Sequence, residues 1–165
     1  MNILLVGAGS VGKVYGRHLA MGGAKVSFLV KEKYAEAARA GFTFYVLNER
    51  TKRDQAQAWR HFSVLTQISE VKNKKWDYIL LCMASTGLKG PWLDKLIAVS
   101  GDATYVSLQP GLNDQDYLLT KLPANRLIAG TIPIISYETP LPGEQRAVPG
   151  TAYWIPPGGT AAFSG

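Results

Sequence analysis

Gly7, Gly9 and Gly12 stand in the run Gly7-Ala8-Gly9-Ser10-Val11-Gly12, directly behind the apolar residues Ile3, Leu4, Leu5 and Val6. Val11, Val14, Tyr15 and Leu19 then recur at helical spacing. Strand, glycine turn and helix in that order is the setting in which G-x-G-x-x-G binds a dinucleotide. Gly7 permits the tight turn, Gly9 keeps a side chain from holding a pyrophosphate off the backbone, and Gly12 lets helix and strand approach. Amides of the first helical turn lack intrahelical acceptors and face the phosphates. Gly16, one turn on, is a further bare position for close packing. Gly7, Ala8, Gly9, Ser10, Val11 and Gly12 are therefore the candidate phosphate loop. Flavin and S-adenosylmethionine sites use related loops, and a glycine turn that has lost its ligand reads the same way.

The second candidate is Lys31, behind the apolar run at residues 25–30. An acid at that strand end would bind the ribose hydroxyls of NAD, whereas a cation pairs with the 2′-phosphate of NADP. Lys31 and Lys33 favour NADP; Glu32 is the competing ribose ligand, and a solvent-facing lysine pair is the plain structural alternative. Cys82 is the single cysteine, which excludes an intrachain disulfide and a four-cysteine metal site. It reads as a buried strand-end residue. His18 and His61 lack metal-ligand spacing and read as a helix-surface residue and a loop or strand-edge residue.

These residues need a scaffold that ends several strands at one edge. The apolar runs predict strands at residues 3–6, 25–30, 42–47, 62–68, 76–83, 103–108 and 127–132, and helices at 10–20, 34–40, 88–99 and 113–119. That alternation is an α/β Rossmann-type fold: an open, mostly parallel sheet with helices on both faces. Residues 134–138 and 151–155 are expected to pair as antiparallel strands near the C-terminus. Residues 48–60 are polar and read as an exposed loop or irregular helix, and residues 62–68 as a strand near the sheet edge. Pro156, Pro157, Gly158 and Gly159 are expected to end the packed structure. The dinucleotide-binding domain is thus expected over 1–157, with 158–165 a tail or the start of a linker. At strand ends, Met83, Ala84, Gln109 and Gly111 border the ligand edge. Ser85 and Thr86 could meet a cofactor or cap the next helix.

The chain has 165 residues, 47% hydrophobic and 18% charged, with a formal charge of +6. This suits one domain with a sizeable core and favours anionic ligands. Its basic residues are scattered, and no nucleic-acid-binding motif accompanies them. No apolar run is long enough to span a membrane, and residues 3–6 are too short for a signal core. A cytoplasmic location is expected.

On Gly7–Gly12, Lys31, the segment 76–84, the Gln109-Pro110-Gly111 turn and the late Gly130-Thr131, the chain resembles the amino-terminal domain of the ketopantoate reductase family. The resemblance spans nearly the whole chain. It implies NADPH as cofactor and a small 2-keto acid such as 2-dehydropantoate as substrate. It also implies a mostly helical second domain that carries the catalytic lysine and a substrate-binding acid. By that resemblance no catalytic residue is expected among these residues, and a homodimer is one possible assembly. Gly7, Gly9 and Gly12 match the family's phosphate loop, and Lys31 matches its basic residue for the 2′-phosphate. Gln109 and Gly111 fit its Q/H-N-G turn. Ala84 stands where the family carries a lysine, and Pro110 where the turn carries an asparagine, so an ammonium and an amide are missing. Those departures keep a second expectation open, a dinucleotide-binding or sensing domain without catalysis. A third is an interaction domain whose glycine loop is vacant.

Overall fold

A computed structural model describes residues 1–109 and 111–165; Pro110 lies outside the described residues. Its first unit is β1 (Asn2–Val6), α1 (Ser10–Met21) and β2 (Lys25–Leu29). β1 alternates so that Ile3 and Leu5 face one hydrophobic cluster while Leu4 and Val6 face the other. Both faces of the strand are therefore covered, which is why its sequence is a continuous apolar run. Leu4 and Leu5 are fully buried, each contributing about 1.5–3 kcal/mol relative to exposure.

The chain continues through α2 (Ala35–Arg39), β3 (Phe42–Val46), β4 (Gln57–Trp59), β5 (Ser63–Leu65), α3 (Ile68–Val71) and β6 (Tyr78–Leu81). There follow α4 (Ser85–Leu88), α5 (Pro91–Val99), β7 (Thr104–Ser107), α6 (Leu112–Leu119), β8 (Leu127–Gly130), β9 (Ile135–Thr139), β10 (Gly150–Trp154) and β11 (Phe163–Ser164). Seven strands form the main sheet in the order β11-β8-β7-β6-β1-β2-β5. Its pairings are parallel except for the antiparallel β11–β8 edge. One face is covered by Val71 of α3, Leu93 and Leu96 of α5 and Leu118 of α6. The other is covered by Val14 of α1, Ala35 and Ala38 of α2, and residues of a second sheet. The Rossmann-type expectation is met, and β5 lies at the sheet edge as its sequence predicts.

The second sheet has the order β4-β3-β10-β9. Its β9–β10 pair is the expected antiparallel pair, with Ala152 opposite Tyr137. It also recruits β3, in parallel with β10, so the strand expected at residues 42–47 does not join the main sheet. Residues 57–59, expected within a loop or irregular helix, form a strand instead. Trp59 explains this: it packs with Phe28, Phe42 and Phe62 in one aromatic cluster. α1 is held between the sheets. A Cβ on Gly16 would lie 2.6 Å from the Phe28 ring and 3.3 Å from the Trp59 ring, so the close packing expected at Gly16 is present. Arg17 reaches across to Gln57 and to the Tyr153 hydroxyl. Structure also continues beyond Pro156–Gly159: Phe163 and Ser164 pair with Gly130 and Ala129 at the edge of the main sheet.

The β9–β10 connection is fixed by one carboxylate. Glu144 accepts from the Thr139 hydroxyl at 2.6 Å, the Leu141 amide at 2.8 Å and the Tyr137 hydroxyl at 2.7 Å. Those donors, Thr139 first, hold its carboxyl down at about 2. A carboxyl depressed on folding stabilises above its unfolded pKa and loses that contribution as pH falls through its folded value. The melting temperature of the wild type should therefore exceed that of Glu144→Gln near neutral pH. The gap should close between about pH 4.5 and about 2. Thermal melts across that range check this, and a gap independent of pH would contradict it.

Candidate dinucleotide site

β1 and β6 are adjacent, and the chain leaves them toward opposite sides of the sheet, to β2 and β5 on one and β7 and β8 on the other. Open α/β sheets bind ligands at the carboxyl ends of such a strand pair. Gly7 follows β1 there, and its amide bonds to the Leu29 carbonyl at 3.0 Å. Cys82 follows β6, with its amide on the Val6 carbonyl at 2.9 Å. A cleft of about 1100 Å³ opens over these ends. A second hollow of about 1020 Å³, lined by Met1, Asp77 and Thr104, lies where the strands begin. It contains none of the Gly7–Gly12 turn.

The three motif glycines have different surroundings. Gly7 has φ +100°, a left-handed conformation that disfavours side chains. A Cβ on Gly12 would stand 2.6 Å from the Gly7 carbonyl oxygen and 3.0 Å from the Cys82 Cβ. A Cβ on Gly9 would meet nothing within 4 Å. Gly7 and Gly12 are thus glycine for the fold, whereas Gly9 is bare toward open space.

Gly9 is also the N-cap of α1, and no side chain caps the helix. The first intrahelical bond runs from the Lys13 amide to the Gly9 carbonyl at 2.9 Å. The amides of Ser10, Val11 and Gly12 precede it and have no acceptor within the helix. No acid occupies the first turn to offset the dipole. This uncapped end, beside an open cradle at Gly9, fits the diphosphate of a dinucleotide.

Gly7, Ala8, Gly9, Lys31, Met83 and Ala84 all line the cleft. Ser10, Val11 and Gly12 do not, although their amides belong to the helix end beside it. The Ser10 hydroxyl instead donates to the Ser136 carbonyl at 3.3 Å. Gln109 and Gly111 also lie off the lining. Gln109 is buried, and its amide donates to the carbonyls of Leu81 at 3.1 Å and Met83 at 2.7 Å. It braces the strand end on which Met83 and Ala84 sit. The Gly111 Cβ position is 3.1 Å from the Asp114 carboxylate. That carboxylate accepts the Ser85 hydroxyl at 2.5 Å, so Ser85 ties the start of α4 to α6 rather than capping α4.

The lining also takes in Lys13, Tyr34, Trp92 and Glu138. Tyr34 is exposed beside Lys31, and the Lys33 ammonium sits 4.8 Å from its ring centre. Trp92 packs partly against the core, and its indole donates to the Gly87 carbonyl at 3.1 Å. Lys13, Lys31 and Lys89 oppose the single carboxylate of Glu138 in the lining, so the cleft has a net positive wall. Cys82, expected to be buried, is only half-buried and lines the cleft, and desolvation pushes its thiol up to about 12, which disfavours the nucleophilic thiolate at neutral pH. Among the described residues no group of three or more His, Cys, Asp or Glu is placed to hold a metal. No helix among them is long and apolar enough to cross a membrane.

Comparison with solved structures gives the same architecture. The 2-dehydropantoate 2-reductase of Methylococcus capsulatus is 23% identical with a TM-score of 0.71, over 99% of this chain and 48% of that one. Its counterpart from Geobacter metallireducens GS-15 is 22% identical with a TM-score of 0.70, over 99% and 49%. D-mandelate dehydrogenase, solved with NADH and anilino(oxo)acetate, is 15% identical with a TM-score of 0.68, over 99% and 47%. The chain thus spans about half the length of these structures. No curated protein sequence matches it. The family model for ketopantoate reductase PanE/ApbA matches residues 3–158. With nearly its whole length matched, glycine turn and cleft included, the chain belongs to the ketopantoate reductase PanE/ApbA family.

Proposed function

We propose that the chain is the NADPH-binding domain of a reductase acting on a small 2-keto acid such as 2-dehydropantoate. The observation that carries this reading is Gly9, bare and open at an uncapped helix end over the strand switch point. The diphosphate rests on the turn Gly7–Gly12, whose amides supply donors without a competing side chain. Lys31, exposed at the cleft rim, pairs with the 2′-phosphate. Gln109 holds the Met83 carbonyl, and Ser85 with Asp114 joins α4 to α6, so the nicotinamide edge is braced before the cofactor arrives. The cofactor, when bound, supplies a hydride for the carbonyl carbon of the substrate. The protonating acid and the carboxylate-binding groups belong to a helical C-terminal domain. A cytoplasmic enzyme, with a homodimer as one assembly, completes the proposal.

Ala84 favours a second reading. It stands on the cleft wall with a methyl group where the family has a lysine, and a chain without that ammonium suits dinucleotide binding or sensing without turnover. Titration calorimetry with NADPH, NADH and S-adenosylmethionine tests the shared core of both readings. NADPH should bind most tightly. Lys31→Ala should weaken NADPH roughly tenfold, equivalent to about 1.4 kcal/mol, and NADH by less than about twofold. Equal losses for both would remove Lys31 from the phosphate. Hydride transfer to a 2-keto acid by the chain supplied with its second domain then separates reductase from sensor.

A further inference from the structure

Lys13 and Glu138 meet across the cleft wall from positions that the sequence leaves far apart. The Lys13 ammonium lies 2.8 Å from one Glu138 carboxylate oxygen. It also stands 5.3 Å from the centre of the Phe42 ring. The other Glu138 oxygen accepts the Thr151 hydroxyl at 3.2 Å. The two partners are held very differently. The Lys13 side chain is 17% exposed, the Glu138 side chain 54%. Lys13 rises from the first turns of α1, just behind the glycine loop, and is confined by packing. Glu138 lies on the solvent side.

A carboxylate here occupies a place suited to any anion. It lines a cleft together with three lysines, beside a helix amino end, all of which attract anions. Its position makes sense as a counter-ion for Lys13 while no other anion is there. An arriving phosphate offers Lys13 a doubly useful partner, stronger in charge and already drawn to the loop amides.

We propose that Lys13 is a ligand for a phosphate of the dinucleotide, and that Glu138 occupies it beforehand and must be displaced. Glu138 therefore sets the affinity of the cleft by competition. The inference rests on the dinucleotide reading above. A purely structural ion pair, docking β9 on α1, would give the opposite signature, because removing it would not improve binding.

NADPH titrations of the full chain at fixed ionic strength test this, with Glu138→Gln, Lys13→Gln, Lys13→Arg and the Glu138→Gln/Lys13→Gln double variant. Glu138→Gln keeps an acceptor for Thr151 and should bind NADPH about three- to tenfold more tightly. Lys13→Gln should bind roughly tenfold more weakly, with Lys13→Arg retaining most of the affinity. In the Lys13→Gln background, the gain from Glu138→Gln should shrink, because the competitor acts through the ammonium. Thermal melts confirm that each variant is folded. If the wild type binds NADPH and Glu138→Gln binds it no better, the competition is overturned while the dinucleotide reading stands. If the folded wild type binds no NADPH, both fall.

Discussion

Gly9→Leu should abolish measurable NADPH binding while leaving the protein folded. The backbone at Gly9 has φ −72° and ψ 178°, extended values open to any residue, and its Cβ position has nothing within 4 Å. The substitution therefore meets no wall of its own protein. Its cost to the fold is that of a poorer N-cap, about 1 kcal/mol, or a fall of roughly 2–4 °C in melting temperature. Toward a ligand the effect is far larger. A branched side chain would fill the space through which a diphosphate reaches the helix amides. A loss of at least about 100-fold, close to 3 kcal/mol, is expected in titration calorimetry. An unchanged dissociation constant would place the phosphates elsewhere.

Gly12→Val should do the reverse and damage the fold first. Its Cβ would lie 2.6 Å from the carbonyl oxygen of Gly7 and 3.0 Å from the Cys82 Cβ. The first of these neighbours is backbone, itself fixed by the bond from the Gly7 amide to Leu29. Neither can yield without moving β1 or β6 at the centre of the main sheet. Replacing a helical glycine removes a propensity penalty of up to about 1 kcal/mol. Overpacking of this kind costs about 1–3 kcal/mol and more when backbone must shift, so the clash wins. A fall of roughly 5–10 °C in melting temperature is expected by circular dichroism. A more stable Gly12→Val protein would show that helix and strand are further apart than described. The two glycines thus separate one motif into a ligand-facing and a fold-facing half.

The first β-α-β unit was legible because its signals are local. Apolar runs mark β1 and β2, and three glycines at fixed spacing mark the turn between them. The β9–β10 pair was legible for a similar reason, as two strand-like runs separated by Pro140, Pro142 and Gly143. What could not be read was non-local. β3 joins β10, with Phe44 opposite Thr151, and nothing in either run encodes that partner. Gln57–Trp59 is too short for a period to show, and it is fixed by rings contributed from β2 and β3. Phe163 and Ser164 extend the main sheet past a proline-glycine segment that reads as a stop.

The site divides along the same line. Gly7, Ala8, Gly9, Lys31, Met83 and Ala84 stand at or just after predicted strand ends and share one cleft. Glu138 comes from the second sheet, so its meeting with Lys13 follows from a topology that no motif announces. Gln109 carried a legible turn signal, but only the structure shows its amide spent on the carbonyls of Leu81 and Met83.

The most direct measurement is a crystal structure of the chain grown with saturating NADP⁺. The diphosphate should lie beside Gly9, within hydrogen-bond distance of amides in the turn and the first residues of α1. A cofactor bound elsewhere, or a cleft still empty at saturation, would contradict the assignment of this glycine turn to a dinucleotide.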